Sequence, residues 1–208
     1  MPAKHLPGFF ERWSRLDNYL RSTLFTFWHV GVESQQLDRG MVDELAQYVA
    51  GETDKHKRGK AYFTIGKLGL RCRSIDCARI LIEAIGREKD KYVLSSLLDR
   101  LADIEKPREV DLSPVFPLLK DTKWLVRHAA IRASGNSDSP EAEAEIIAVL
   151  NGATDHYDIT YCISTLSTIG SLSAIPHIEK HFSSRKQDVK LSARYAVHAI
   201  MARHGVRP

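Results

Sequence analysis

At 208 residues, the chain is long enough for one or two globular domains or for a single stack of helical repeats. Its composition, 43% hydrophobic and 27% charged, is ordinary for a folded protein in water. The net charge is only +4, no apolar run approaches the roughly 20 residues of a membrane-spanning helix, and residues 1–7 lack the pattern of a secretory signal. We therefore expect a cytoplasmic protein without a membrane segment.

The charges are unevenly distributed along the chain. Residues 54–73 carry seven Lys and Arg against one Asp, residues 177–208 carry seven basic and two acidic groups, and residues 99–158 carry seven basic and twelve acidic groups. Basic ends around an acidic middle would suit an anionic ligand, but a solvated helical surface has the same distribution and is the interpretation we favour. The three cysteines, an odd number, are expected to be free buried thiols: Cys72, Cys77 and Cys162.

Residues 8–30 form an aromatic-rich pattern in which apolar side chains recur every three or four positions. This pattern predicts an amphipathic helix that caps the open end of a helical stack. We expect residues 1–40 to form this cap and residues 41–208 to form one repeat unit. A dimer surface or a membrane-surface helix is an alternative, and the mixed-sign polar face argues against the membrane. The apolar residues are Phe9, Trp13, Leu16, Leu20, Leu24, Phe27 and Trp28.

From residue 41 onward, the periodicity predicts helices in pairs, separated by turns rich in Gly, Asp, Asn, Ser and Pro. No segment shows a sustained period of two, so no strands are expected and the predicted fold class is all-α. The predicted pairs are Met41–Val49 with Lys55–Leu68, Ile75–Ile85 with Tyr92–Ile104, Pro114–Leu119 with Lys123–Ala133, Pro140–Leu150 with Tyr157–Ile169, and Ala174–Phe182 with Asp188–Arg203.

The second helices of these pairs recur at nearly even intervals. Their first core positions are 36, 33, 33 and 30 residues apart, which is the range of helical-pair repeats. A single pair cannot bury its apolar face, so we expect the pairs to stack into one curved right-handed superhelix with the second helices along its concave side. The aligned positions are Lys57, Val93, Val126, Ile159 and Val189.

The clearest copy is residues 121–135, where small side chains share one helical face ahead of a glycine. Its pattern, Asp-x-x-x-x-Val-Arg-x-Ala-Ala-x-x-Ala-x-Gly, and the run Asp-Val-Lys-Leu-Ser-Ala-Arg-Tyr-Ala-Val at 188–197 resemble HEAT and HEAT-like (PBS-lyase-type) repeats. The resemblance covers residues 41–205 and implies a right-handed α-solenoid of about five HEAT-like helix pairs. It also implies a structural ladder between repeats, carried over here to Asp121 with Arg127 and to Asp188 with Lys190.

The non-core positions of the second helices are expected on the concave wall. Basic and aromatic side chains are interleaved there, together with Ser95, Asp99, Arg100, Ser164 and Thr165. The residues that we predict to bind a partner are Lys60, Lys67, Arg127, His128, Arg132, Tyr161, Lys190, Arg194, Tyr195 and His198.

The predicted function is a non-catalytic scaffold that binds another protein on this wall, because Arg and Tyr are frequent interface hot spots. Nucleic acid is the alternative, since basic side chains interleaved with aromatics also suit phosphates and stacked bases, although the acidic middle interrupts a continuous track. A small neutralising, immunity-type binding protein is a further possibility.

Some HEAT-like proteins are alkylpurine DNA glycosylases, and Trp124-Leu-Val-Arg-His-Ala-Ala-Ile is similar to a Trp-x-Arg-Arg-x-Ala-Ile segment of that family. The spacing from Trp124 to Arg127 is one residue longer here, which rotates the pair by about 100° on a helix. We therefore expect Trp124 to pack over the turn between helices. Bilin lyases also belong to the HEAT-like group, but no residue pattern marks a tetrapyrrole pocket.

No catalytic residue, metal or cofactor is predicted. His177 and His181 have the i, i+4 spacing of metal ligands, but the sequence predicts no third ligand, and a solvated pair is favoured. Cys72 and Cys77 are too isolated for a four-ligand zinc site. No nucleophile elbow or phosphate-binding loop is present.

Overall fold

The computed structural model describes residues 39–206, with side chains from residue 42 onward. The chain divides into two compact units, Met1–Gln36 and Leu37–Pro208, and the described residues belong to the second. The predicted cap helix of residues 8–30 lies outside the described residues.

Residues 39–206 form nine α-helices and contain no β-strand, so the all-α prediction is confirmed. None of these helices is both long and apolar enough to cross a membrane. Short 3-10 helices, Phe116–Lys120 and Leu172–Ala174, precede the fifth and eighth helices. The helices are α1 (Arg39–Gly51), α2 (Lys55–Cys72), α3 (Ile75–Ile85), α4 (Lys91–Ala102), α5 (Trp124–Ala133), α6 (Pro140–Gly152), α7 (His156–Ile169), α8 (Ile175–Glu179) and α9 (Gln187–Arg203).

Aspartate side chains start three of the helices. Asp54, Asp90 and Asp155 are the N-cap residues of α2, α4 and α7, and each carboxylate accepts hydrogen bonds from two main-chain amides of the first turn. These bonds satisfy donors that have no partner inside a helix. The N-cap residues of α5 and α9 are Lys123 and Lys186, so the five helices begin at intervals of 31 to 36 residues.

The observed N-caps correct the predicted alignment at one helix. Lys57, Val93, Val126 and Val189 all lie three residues after an N-cap, but Ile159 lies four residues after Asp155. The equivalent residue of α7 is Asp158, whose carboxylate bonds to α5 instead of entering the core. The prediction was one residue late because it searched for an apolar side chain.

Two predicted first helices are shorter than expected. Pro114–Leu119 was predicted to be helical, but only the five-residue 3-10 helix ending at Lys120 forms. Ala174–Phe182 is divided between a 3-10 turn and the five-residue α8. Pro117 and Pro176 lie at the first positions of these two helices, where proline is favoured. Each helix ends within a few residues of its proline, and such short helices gain little from propagation.

The members of each predicted pair are in contact, and the second members, α2, α4, α5, α7 and α9, pack against one another in chain order. They run in the same direction, since Lys55 at the start of α2 pairs with Asp90 at the start of α4. At the other end, Arg203 of α9 donates to the carbonyl oxygen of Ser167 in α7. The N-termini of the five helices therefore lie along one edge.

The core lies between the two members of the pairs and between successive second helices. Ile131, Leu97 and Ile200 are fully buried, as are the small residues Ala130 and Ala133 that the sequence placed on one helical face. Small side chains at a helix contact allow the neighbouring backbone to approach closely.

Candidate interaction surface

We call the surface formed by α2, α4, α5, α7 and α9 the second-helix wall. The predicted binding residues all belong to these helices, but the structure does not bring them into one cluster. Their accessibility differs: Lys60, Arg132, Arg194, Tyr195 and His198 are exposed, Lys67, Arg127, Tyr161 and Lys190 are half-buried, and His128 is buried.

The centre of the wall is a hydrogen-bonded group formed by α5 and α7. Arg127 Nε lies 3.0 Å from both carboxylate oxygens of Asp158, and His128 Nε2 lies 2.7 Å from Asp158 Oδ1. Arg127 also donates to the main-chain carbonyl oxygen of Asp121 at 2.8 Å. The Asp158 carboxylate of α7 thus holds two adjacent side chains of α5 in fixed positions.

This geometry corrects the predicted ladder. The carboxylate of Asp121 accepts a hydrogen bond from the amide of Lys123, because it closes the turn before α5, and Arg127 pairs with Asp158 of the next repeat instead. Arg58, at the equivalent position of α2, pairs in the same way with Glu88 of the next repeat. In the described residues, the other predicted ladder partner, Lys190, has no ion pair with Asp188.

Aromatic rings surround the same group. The His128 ring stacks on Tyr161 with 4.5 Å between ring centroids, and the Trp124 ring lies 5.6 Å from His128. Trp124 is 63% exposed, so it does not pack over the turn between helices as the sequence predicted. It lies in the first turn of α5, directly after the N-cap residue Lys123.

Two of the predicted arginines are already paired with carboxylates of neighbouring helices. Arg132 of α5 bonds Asp99 of α4 at 2.9 Å, and Arg127 bonds Asp158 of α7. Burial raises the pKa of Asp99, while the nearby Arg132 opposes that rise. A guanidinium held this way has less positive charge to offer a ligand than the sequence suggests.

The α2 end of the wall has a different arrangement. Lys67 Nζ lies 5.7 Å from the centroid of the Phe63 ring, and the Arg100 guanidinium lies 5.5 Å from it. Phe63 is itself exposed. Two cations flanking an exposed ring form a mixed cationic and aromatic patch.

Several exposed aromatics were missed as site residues in the sequence. Tyr92, Trp124 and Tyr157 lie in the first turns of α4, α5 and α7 and are 63%, 63% and 56% exposed. Because these helices run in the same direction, the three rings lie along one edge of the wall. The sequence feature that could have identified them is their position, one or two residues after the N-cap residue of each helix.

One group has the composition of a metal site. Ligand atoms of His128, Asp155 and Asp158 lie within 4.8 Å of one another. However, Arg127 already occupies both oxygens of Asp158, and Asp155 accepts two main-chain amides, of Tyr157 and Asp158, which lower its pKa. A cation there would have to compete with a guanidinium, so the group fits an ion pair better than a metal.

The other sequence candidates for metal binding have separate environments. His177 Nδ1 lies 3.0 Å from Asn151 Oδ1, and burial lowers the pKa of His181. Cys77 and Cys162 are free thiols and are buried as expected, whereas Cys72 is half-buried. Burial raises the pKa of Cys77 to about 11 and that of Cys162 to about 12, so neither thiol is poised for nucleophilic attack.

A polar cavity of about 220 Å³ opens where α4, α5 and α7 end. Asn136, whose φ of 50° is in the left-handed region, donates its side-chain amide to the carbonyl oxygen of Ala102 beside it. Two charged side chains line the cavity, and each has an ion pair: Asp103 with Arg100 and Arg132 with Asp99. Its lining residues are Ala102, Asp103, Arg132, Gly135, Asn136, Ser164, Thr165 and Thr168.

No protein-family model and no curated protein matches the sequence. Fourteen chains of solved structures match it. One of them is the crystal structure of an engineered protein from the Northeast Structural Genomics Consortium, with a TM-score of 0.55 and 19% sequence identity over 78% of this chain and 80% of that chain. At this identity, the likeness concerns the fold alone and agrees with the all-α assignment.

Proposed function

We propose that the chain is a non-catalytic scaffold that binds another protein on the second-helix wall, within a right-handed α-solenoid of about five HEAT-like helix pairs. The observation that carries the proposal is the set of exposed rings, Tyr92, Trp124, Tyr157 and Tyr195, on four of the five second helices. Large aromatic side chains bury much area at little cost in conformational entropy, and they dominate protein interfaces.

The pairing of the arginines supports a protein partner over a nucleic acid. A phosphate track requires free cations along its length, whereas Arg127 and Arg132 in the middle of the wall are paired with Asp158 and Asp99. A mosaic of rings and internally paired charges is typical of protein interfaces, where charged groups contribute specificity.

Nucleic-acid binding of the HEAT-like glycosylase type stays the second candidate. It is favoured by one observation: the wall carries both an exposed indole, Trp124 on α5, and the cations Lys60 and Lys67 on α2. An exposed indole can stack on a base, and lysines can contact phosphates.

The first test compares protein capture by the wild type and by Trp124→Ala, with immobilised protein and quantitative mass spectrometry of an extract from the source cells. We expect a defined protein to bind the wild type and to be depleted at least about tenfold by Trp124→Ala, the usual effect of truncating an aromatic hot spot. The matched control is Leu172→Ala, another exposed apolar residue, in the 3-10 helix before α8. Equal capture by all three proteins contradicts the use of the wall.

The second test measures anisotropy of labelled single- and double-stranded DNA at about 50 and 200 mM salt. We expect no specific retention at either salt concentration. Binding that weakens by about 10³-fold or more over this range, as several phosphate contacts require, would replace the protein-binding proposal with the nucleic-acid one.

A further inference from the structure

Within the row of second helices, α2 and α5 use equivalent positions to contact the repeat that follows them. Counted from the N-cap residue, the fourth position of α2 is Arg58 and that of α5 is Arg127. Arg58 Nε lies 2.8 Å from a Glu88 oxygen, and Arg127 Nε lies 3.0 Å from Asp158, so each cation pairs with a carboxylate of the next repeat. His128, at the fifth position of α5, bonds Asp158 as well.

The eighth position of α5 and the twelfth position of α2 also contact the second helix that follows. The eighth position holds a buried apolar or aromatic side chain in each of the first four second helices, and the carbonyl oxygen of Ile131 in α5 accepts a hydrogen bond from Thr165 of α7. At the twelfth position of α2, a Cβ added to Gly66 would lie 2.5 Å from Arg100 Cβ of α4. The eighth-position residues are Tyr62, Leu98, Ile131 and Ile163.

Helix α9 is the last of the described row, and the same four positions on it are Lys190, Leu191, Arg194 and His198. Arg194 and His198 are exposed, Lys190 is half-buried, and Leu191 is 56% exposed. Among the described residues, none of the three basic side chains has an ion pair. The one carboxylate of α9 is Asp188, in its first turn.

We propose that this face of α9, made by Lys190, Leu191, Arg194 and His198, docks an acidic amphipathic helix of a partner protein. The incoming helix extends the row by one and runs in the same direction as α9. Lys190 takes the place that Arg58 and Arg127 have within the row and pairs with a carboxylate in the first turn of the incoming helix. The proposal rests on the proposed function only in that the occupant is a protein.

The charge and spacing of the face define the occupant. Lys190, Arg194 and His198 follow one another at four-residue steps, about one helical turn each, so they match carboxylates at i, i+4 and i+8 of a parallel helix. Leu191 requires an apolar residue beside those carboxylates. A phosphate backbone would satisfy the cations but leave Leu191 against water, which is why a helix is favoured over a nucleic acid.

The predicted site residues on α9 belong to two surfaces. Lys190, Arg194 and His198 belong to the end face. Tyr195 lies at the ninth position, which holds Phe63 in α2 and Arg132 in α5, both of them exposed on the wall. The end face and the wall can therefore be tested separately.

The experiment uses the full chain and a fluorescent synthetic peptide of about 18 residues, with Asp at its N-cap, Glu at i, i+4 and i+8, and Leu beside each Glu. A peptide of the same composition, scrambled so that Glu and Leu share no face, measures non-specific attraction. The protein variants are Lys190→Glu with Arg194→Glu, the matched control Arg185→Glu in the exposed turn before α9, and Trp124→Ala on the wall. Circular dichroism checks that each variant is folded.

We expect the helical peptide to bind the wild type, Arg185→Glu and Trp124→Ala equally well. The double variant is expected to bind it about tenfold more weakly, since two exposed ion pairs become repulsive. A peptide carrying Lys in place of two Glu should restore binding to the double variant. If that variant is unfolded, Arg194→Ala and Leu191→Ser, each of which alters a single exposed side chain, replace it and are expected to weaken binding several-fold.

Equal binding of the scrambled peptide, or no binding of the helical peptide up to about 1 mM, overturns the proposal. DNA that competes with the helical peptide for wild type and loses this ability in the double variant assigns the face to phosphate and also overturns it. Failure of Trp124→Ala to alter protein capture contradicts only the proposed use of the wall, because Trp124 is not part of this end face.

Discussion

At the scale of single residues, Asp158 determines how α5 and α7 meet. Its carboxylate is mostly buried and accepts from Arg127 and His128, two adjacent side chains of the same helix. A mostly buried carboxylate with two donors contributes more than an exposed ion pair, because the loss of a donor leaves a desolvated acceptor without compensation.

We predict that Arg127→Ala lowers the free energy of unfolding by about 1–3 kcal/mol, the cost of leaving a buried polar group with incomplete hydrogen bonding. Urea denaturation at neutral pH measures the change. Arg79→Ala is the control, since Arg79 pairs with Asp76 at an exposed site and such pairs contribute about 0–1 kcal/mol. Equal losses in the two variants would show that the Asp158 group is no more than a surface ion pair.

Lys106 is a second residue with a defined structural role. It is 1% exposed, and its ammonium donates to the carbonyl oxygens of Leu101 at 2.9 Å and Ile104 at 2.6 Å. Its main-chain amide donates to the carbonyl oxygen of Asn136, so the residue connects the end of α4 to the turn after α5. Burial lowers the pKa of Lys106 to about 7.

This lowered pKa predicts a pH-dependent stability. Between pH 7 and the usual lysine pKa of about 10.4, the unfolded chain binds the proton and the folded chain does not, so this residue makes stability rise with pH. The rise is at most about 1.4 kcal/mol per pH unit. We expect the stability difference between wild type and Lys106→Met, measured by urea denaturation from pH 7 to pH 8.5, to shift steadily in favour of wild type. A difference independent of pH would contradict the lowered pKa.

At the scale of elements, glycines set the distance between α2 and α4. A Cβ on Gly66 would lie 2.5 Å from Arg100 Cβ, and a Cβ on Gly69 would lie 2.5 Å from Ile104 Cδ1 and 3.0 Å from Cys77 Cβ. These glycines weaken α2 as an isolated helix but allow its close approach to α4. Helix propensity and packing therefore act in opposite directions in this element.

We predict that Gly66→Ala destabilises the protein by about 1–3 kcal/mol, because the added methyl group overpacks the contact with Arg100. Gly59→Ala in the same helix is the control: its added Cβ would meet no atom within 4 Å beyond its chain neighbours and the backbone of its own helix, so higher helix propensity should stabilise by up to about 1 kcal/mol. Thermal unfolding followed by circular dichroism distinguishes the two. Stabilisation by both substitutions would show that α2 and α4 are not closely packed at Gly66.

At the scale of the whole described unit, the main contacts of each helix are with its pair partner and with members of the neighbouring pairs. The contacts of α9 are with α7 and α8, and those of α2 are with α1, α3 and α4. A structure connected in this way has no central element that touches all the others, so local openings need not spread from one end to the other.

We predict that Ile200→Ala, a cavity-forming substitution in α9, costs about 2–5 kcal/mol locally and raises hydrogen exchange mainly in α7, α8 and α9. Amides of α2, α3 and α4 are expected to keep their wild-type exchange rates in native-state mass spectrometry. Gly66→Ala should show the reverse distribution. A uniform increase in all helices would instead indicate one fully cooperative unit.

The sequence by itself determined the all-α class and most helix boundaries. These depend on local signals: the apolar period, aspartates such as Asp54 and Asp155 ahead of a helix, and glycine-rich turns. The same local logic failed at the short helices before α5 and at α8, where prolines marked a helix start but not its length. Local hydrogen bonds and side-chain periodicity are encoded within a few residues of each other, so they can be recognised without the tertiary structure.

Only the tertiary structure decided which of the predicted wall residues are available. Arg127 and Arg132 are paired, Trp124 is exposed and Lys106 is buried because of partners about 30 residues away or because of how neighbouring repeats pack. In α7, the position aligned with the first core residues of the other second helices holds Asp158 and not Ile159, and its carboxylate lies at the centre of the wall. Contacts between repeats depend on helix direction and register, and neither is fixed by the residues of one helix alone.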